Sequence, residues 1–543
     1  SCGGGGERFL RTSSRNFLRE VFAMRNKKKI AVLLALAMGG FAGAAHAAEY
    51  TEAIQESKAL MDGDTITVDD NAAVPVSVNG TTYQYVTGLY DGAEDMTVSA
   101  SGTVHINASS EAMNYKNRVM GIAMEGQGMN ITAGGEDAKL DISVSGCQAN
   151  GISIASDGTK ELSIEPDMDI HVENHQGGRY SEAYGINVYN SNMTFGGDID
   201  LSIQSDADTE FSAIRNSGDR IEFDGKVTAE ITSTGTVTDT ENGVIGGIHG
   251  SYGSETIFND EVALTVNAQT AYVPVAGVFS FYGNQYDGEN LVQFNDAADI
   301  WVNNSSGLAV GILSASDGIP YGGYALPAGV QFRDDVHIEA HGAGINSVAI
   351  MTQDGGSVDI AKNTLSAEES DAVHGTIIGN IQSGGGMEGD TSRININLTG
   401  SESRIEGDIN IANDGAEATV ALYDGASWTT SGDTGGSLIS CLTMGDGIVY
   451  QEANQGTVGI REYSGSDILF RADDTAPDGV LTFSTGDVVI GKAAEGSSVG
   501  VSVSNDTINT LDIAKTEENL NALAGKLMYK AQDDNLTGRV TLK

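Results

Sequence analysis

The chain has 543 residues, 75 of them acidic and 29 basic, for a formal charge of −46; that balance repels phosphate and argues against nucleic-acid and anionic-membrane binding. Apolar residues make up 40%, and 71 glycines stand against 6 prolines. This is too apolar for a disordered tail, and the length allows several compact domains or one long repetitive element, so a repeat is the first thing to seek.

Residues 1–23 start without Met and are expected to be a miscalled leader that carries no structure. Met24 to Lys29 then form a basic start, Ile30 to Ala45 are mainly apolar, and Ala45-His46-Ala47 is a small-x-small site. These are the three parts of a secretory signal peptide over 24–47, with cleavage after Ala47. A membrane anchor is the competing reading, but the run is short for a span of about 20 residues and contains Gly39, Gly40 and Gly43. Cleavage removes eight basic residues and two acidic ones and leaves a still more acidic product. Its expected route is through the periplasm to the cell surface or extracellular space. Of the cysteines only Cys147 and Cys441 remain, and stability must then come from packing and backbone pairing rather than from disulfides.

Residues 48–117 carry strands such as Thr65–Val68 without a clear repeat and are expected to form an N-terminal cap. From 118 to 380 a repeat is legible. An aromatic residue is followed four, six and eight positions later by apolar ones, starting at Phe195, Phe223, Phe258, Phe294 and Phe332, with a variant at Ile164. The steps are 31, 28, 35, 36 and 38 residues. Alternation after a Gly/Asn/Asp turn marks a strand with one buried face. Each unit has a second strand upstream, as in Gly151-Ile152, Gly185-Ile186, Gly247-Ile248, Gly277-Val278 and Gly311-Ile312. Short strands in units of about 30 residues, with no helical spacing between them, indicate a parallel β-solenoid whose coils stack about 4.8 Å apart. The varying step fits loops leaving at one corner. A row of β-sandwiches would need a longer repeat and linkers. On this reading the five phenylalanines form a buried ladder, and Cys147 and Cys441 lie roughly 45 Å apart along the axis, beyond disulfide reach.

Residues 381–515 continue as a C-terminal β-helix and junction. Ile405-Glu-Gly-Asp-Ile409-Asn-Ile411 is followed by Ala418 to Leu422, by Gly425-Ala-Ser-Trp428, by Leu438 to Met444 and by the Gly447 turn, with Gly486 to Ile490 and Val499 to Val503 beyond. This order resembles the passenger domain of a pertactin-like autotransporter near its junction with the translocation barrel. The resemblance implies a right-handed parallel β-helix carried across the outer membrane by a downstream barrel, with the last coils acting as folding nucleus. The chain ends at Lys543 without barrel-like alternating strands, so a truncated gene model or a separately encoded barrel is expected. In 516–543, Thr516 to Asn519 start an amphipathic helix with Leu520, Leu523, Ala524, Leu527 and Met528 on one face, either capping the solenoid or leading into the barrel.

Catalytic chemistry is sparse. Gly432-Asp433-Thr434-Gly435-Gly436-Ser437 resembles the nucleophile segment of chymotrypsin-like proteases, with Thr434 at the nucleophile position, but no histidine has the context such a triad needs. A carbohydrate-cleaving β-helix would need grouped carboxylates; Asp334-Asp335 and Asp473-Asp474 are candidates, and solvated turns explain them equally. His105, His171, His175, His249, His337, His341 and His374 show no zinc spacing, and the calcium nonapeptide of β-rolls is absent. His171 and His337 fall between apolar positions and should point outward. No catalytic, metal or cofactor residue is therefore assigned. The expectation is a non-enzymatic adhesin or surface-interaction protein that recognises host or neighbouring-cell surface molecules, protein or glycan, through loops on a rigid stalk; a β-helical polysaccharide lyase or hydrolase is the alternative.

Overall fold

The computed structural model describes residues 47–502 and 537–538, apart from 79, 92–95, 113–115, 126–127, 156–160, 176–181, 207–210, 236–244, 271–272, 282–289, 317–327, 386–389, 452–456, 467, 472–487 and 496. The signal segment up to His46, Asp473-Asp474 and the helix expected from Thr516 to Met528 lie outside the described residues.

The described chain is a parallel β-helix of three sheets with 17, 15 and 12 strands. Each middle coil runs through them in one order. A short strand ending in the repeat phenylalanine, such as Asn192–Phe195, belongs to the 15-stranded sheet. After a tight corner the next strand, Ile199–Ser205, belongs to the 17-stranded sheet. The third, Phe211–Ser217, lies in the 12-stranded sheet. We call these the phenylalanine, alternating and glycine sheets. The nonapeptide legible in the sequence therefore spans a corner: its aromatic residue ends one strand and its alternating residues form the next.

Period-two alternation fixes which side chains fill the interior. In the alternating sheet the register links Ile170, Leu201, Ala229, Leu264, Ile300, Ile338, Ile377 and Ile405 on successive coils, and all are buried. The phenylalanine ladder forms as expected: Phe195, Phe223, Phe258, Phe294 and Phe332 are in register. Their rings stack at 4.7–5.0 Å with interplanar angles of 3–8°. Aliphatic residues extend the column, Ile131 and Ile164 before it and Ile360, Ile396 and Val420 after it.

The corner between the phenylalanine and alternating sheets keeps a constant length from Ile164 to Val336, and its backbone bonds to the coil above, as in Asp224 N to Phe195 O and Asn259 N to Phe223 O, both 2.9 Å or shorter. Gly225 is required there, since a Cβ would lie 2.5 Å from the carbonyl oxygen of Gly197. Length varies at the other two corners, not at one as the step lengths suggest. Residues 206–210 and 234–244 join the alternating to the glycine sheet, whereas 282–289 and 316–327 join the glycine to the phenylalanine sheet. Buried amides close such corners: Asn304 donates to Thr270 O and Leu308 O, and Asn290 to Gly250 O.

The glycine sheet is named for a position where Gly151, Gly185, Gly247, Gly277 and Gly311 recur. Pairing passes from Asn150–Tyr184 to Ile152–Ile186 with the register unchanged and leaves Gly151 and Gly185 out, a place where backbones approach closely. A Cβ on Gly185 would stand 2.2 Å from Leu201 and 2.6 Å from Ala213 O.

The first coils belong to the same ladders, with Thr65–Val68 paired to Thr103–Ser109. An antiparallel hairpin, Val74–Val78 with Thr81–Tyr90, ends the glycine sheet. That sheet stops at its other end with Ile409–Ile411, while the other two continue. The strands of the phenylalanine sheet then lengthen to ten residues in Gly436–Gly445 and Thr457–Ser466. Cys147 and Cys441 are both free, and their coils lie far apart in the strand order.

Candidate functional site

Outward positions of the alternating sheet form a flat polar face. Of the seven histidines after residue 47, His105, His171, His337 and His341 lie on its strands, and His175 and His374 sit next to them. His171 and His337 point outward, as alternation requires. His249 is different: it lies in the glycine sheet, stacked on Phe279 at 5.0 Å, and burial, helped by the Arg215 charge, lowers its pKa to about 3.

A groove of about 440 Å³ crosses this face where the alternating strands leave the constant corner. Small residues are prominent in its lining: Ala263, Ala297, Ala298 and Gly375. Its rim carries ion pairs between neighbouring coils. Lys226 Nζ is 2.9 Å from Glu261, His337 Nδ1 3.2 Å from Asp299, and His374 Nδ1 3.2 Å from Asp335. The backbone N–H of His374 also donates to Asp335. These pairs are solvent-exposed and contribute little to stability.

Next to the groove on the same outward side stands Trp301, in register with Glu339 and 5.9 Å from the His341 ring. Glu339 accepts from both His337 and His341. Burial pushes its carboxyl up, but these hydrogen bonds and histidine charges outweigh that and hold it below the ordinary carboxylate value. Asn303 donates to Asn267 on the preceding coil at 3.5 Å. The indole thus sits among amide, carboxylate and imidazole groups that are already paired.

Of the sequence candidates, Asp335 enters this groove, and Asp334 accepts from the Asp335 N–H at the turn beside it. The Thr434 segment has another role. Its hydroxyl donates to the buried carboxylate of Asp408 at 2.8 Å, and the N–H groups of Gly432 and Thr434 donate to the same carboxylate at 2.9 Å. The residues between Trp428 and Leu438 therefore fold around Asp408, at the point where the glycine sheet ends. Among the described residues no group of three or more His, Cys, Asp or Glu side chains is arranged to hold a metal ion.

Alternation alone places Trp301 outside, between Ile300 and Val302. Its neighbours across coils, Glu339 and His341, needed the register between strands with different loops before them. Comparisons with protein-family models, curated proteins and solved structures return no significant match.

Proposed function

We propose that this chain is the passenger of an autotransporter, exported through the periplasm, displayed at the cell surface and acting there as an adhesin. The reading rests on the signal-like segment at 24–47, the pertactin-like order of motifs from Ile405 to Val503, and an acidic exterior that keeps a surface protein soluble. The observation that carries it is the uninterrupted parallel ladder from Tyr50 to Val449: a rigid rod whose length variation is confined to the corner loops and which keeps one outer face free for contact.

The test is display of the full chain joined to an outer-membrane barrel, with antibody labelling of intact cells and attachment to host-cell layers or to neighbouring cells. Surface labelling with increased attachment supports the reading; a labelled chain that attaches to nothing counts against it. The groove also favours a second reading, a β-helical carbohydrate-active enzyme, because Asp299, Asp335, His337 and His374 line one depression. Depolymerisation of a polysaccharide that is abolished by Asp335→Asn would replace adhesion with that reading.

A further inference from the structure

We propose that the groove beside Trp301 binds a neutral oligosaccharide, with the indole as stacking platform and the paired polar groups around it as hydroxyl ligands. This rests on the adhesin reading and names the ligand class of its contact face.

Three observations point to that chemistry. First, Trp301 is turned outward and half-buried, whereas the other tryptophan, Trp428, is fully buried and donates its Nε1–H to Gly407 O at 2.9 Å. An aromatic face held on a rigid strand offers apolar stacking area at low entropic cost. Second, Asp299 and Trp301 are alternate residues of one strand, so the groove and the indole open on the same side about 7 Å apart.

Third, the carboxylates at the groove are already held by cross-coil partners. Glu261 pairs with Lys226, Asp299 with His337, and Asp335 with His374. A basic peptide would have to break these pairs. An anionic polysaccharide would meet the field of a chain with a charge of −46. What the surface keeps is hydrogen-bonding capacity on fixed carboxylates, imidazoles and amides, which suits a polyhydroxylated neutral ligand. The small outward side chains of Ala263 and Ala297 in its lining leave room for a flat ring.

The experiment is titration of the full chain with uncharged hexasaccharides (maltohexaose, cellohexaose, mannohexaose and chitohexaose) and with hexalysine, read by tryptophan fluorescence and calorimetry. At least one hexasaccharide should bind, with an affinity insensitive to salt. Trp301→Ala and Ala263→Arg should each weaken it about tenfold or more, while Trp301→Phe keeps most of it. Circular dichroism of each variant checks that the outward substitutions leave the fold intact. The proposal falls if no hexasaccharide binds, if binding survives Trp301→Ala, or if hexalysine alone binds with an affinity that drops as salt rises. Displayed cells separate the two readings. Attachment that persists in Trp301→Ala removes this site and leaves the adhesin standing; hexasaccharide binding by a chain that confers no attachment does the reverse.

Discussion

The coils from Asn192 to His341 and those after Arg404 share one backbone ladder and enclose different interiors. In the first region three sheets surround a stack of phenylalanine rings. In the second the glycine sheet ends among the described residues with Ile409–Ile411, the strands of the phenylalanine sheet are longer, and Trp428 occupies the column that Ile405 holds one coil earlier. The ladder itself tolerates either cross-section, because its hydrogen bonds join each strand only to the coils above and below. The section is set by what closes the corner. Where the glycine sheet ends, Asp408 gathers the N–H groups of Gly432 and Thr434, and Ile409 N bonds to Ser437 Oγ. A buried carboxylate therefore takes over donors that a further strand would have satisfied.

In a solenoid each coil contacts only its neighbours, so perturbations should be read locally, by hydrogen exchange along the chain. Acid should separate the two regions most. His249 lies in the middle region, and its pKa is depressed from 6.5 to about 3. The folded state is then the weaker proton binder, so this stabilisation is complete above pH 6.5 and is lost as pH falls toward 3. The loss amounts to something on the order of 5 kcal/mol. Coils around His249 should open before those around Trp428 on acidification, and His249→Phe should remove the difference.

Trp428→Ala should act in the opposite sense. It empties the largest fully buried side chain and leaves Gly407 O without its donor, for a loss of about 3–5 kcal/mol concentrated after residue 404. Asp408→Ala should cost about 2–3 kcal/mol through the N–H groups it leaves unpaired, with faster exchange at Gly432 and Thr434. Phe258→Leu removes two stacked contacts but keeps most of the buried volume, so about 1–2 kcal/mol is expected, confined to the coils above and below it. Equal effects of Trp428→Ala in both regions would show that the two sections do not fold as separate units.

The middle region was legible because its signal is redundant: a phenylalanine, a Gly/Asn/Asp corner and three alternating residues recur at one spacing. The end of the glycine sheet was not. Ile405 and Ile409 stand four apart, as Phe195 and Ile199 do, yet the first pair turns from the alternating to the glycine sheet and the second from the phenylalanine to the alternating sheet. A three-residue corner with glycine or asparagine makes the same turn at either edge, so spacing does not say which edge it is. The contact face is legible in part for a related reason. Alternation turns Trp301 and His337 outward, whereas the Asp299–His337 and Asp335–His374 pairs join residues 38 and 39 apart in sequence and need the intervening loop lengths.

In-register stacking of successive coils is the claim on which everything else depends, and paired cysteines test it directly. Thr228 and Ala263 are cross-coil partners on the outward face, while Thr228 and Thr265 are one alternation step out of register. In a chain with Cys147 and Cys441 replaced by Ser, Thr228→Cys with Ala263→Cys should form an intramolecular disulfide in the folded monomer under mild oxidation, because its Cα atoms fall within the bridging range of about 4.4–6.8 Å. Thr228→Cys with Thr265→Cys should remain reduced. A bond in the second pair and not in the first would contradict the register and the β-helix built on it.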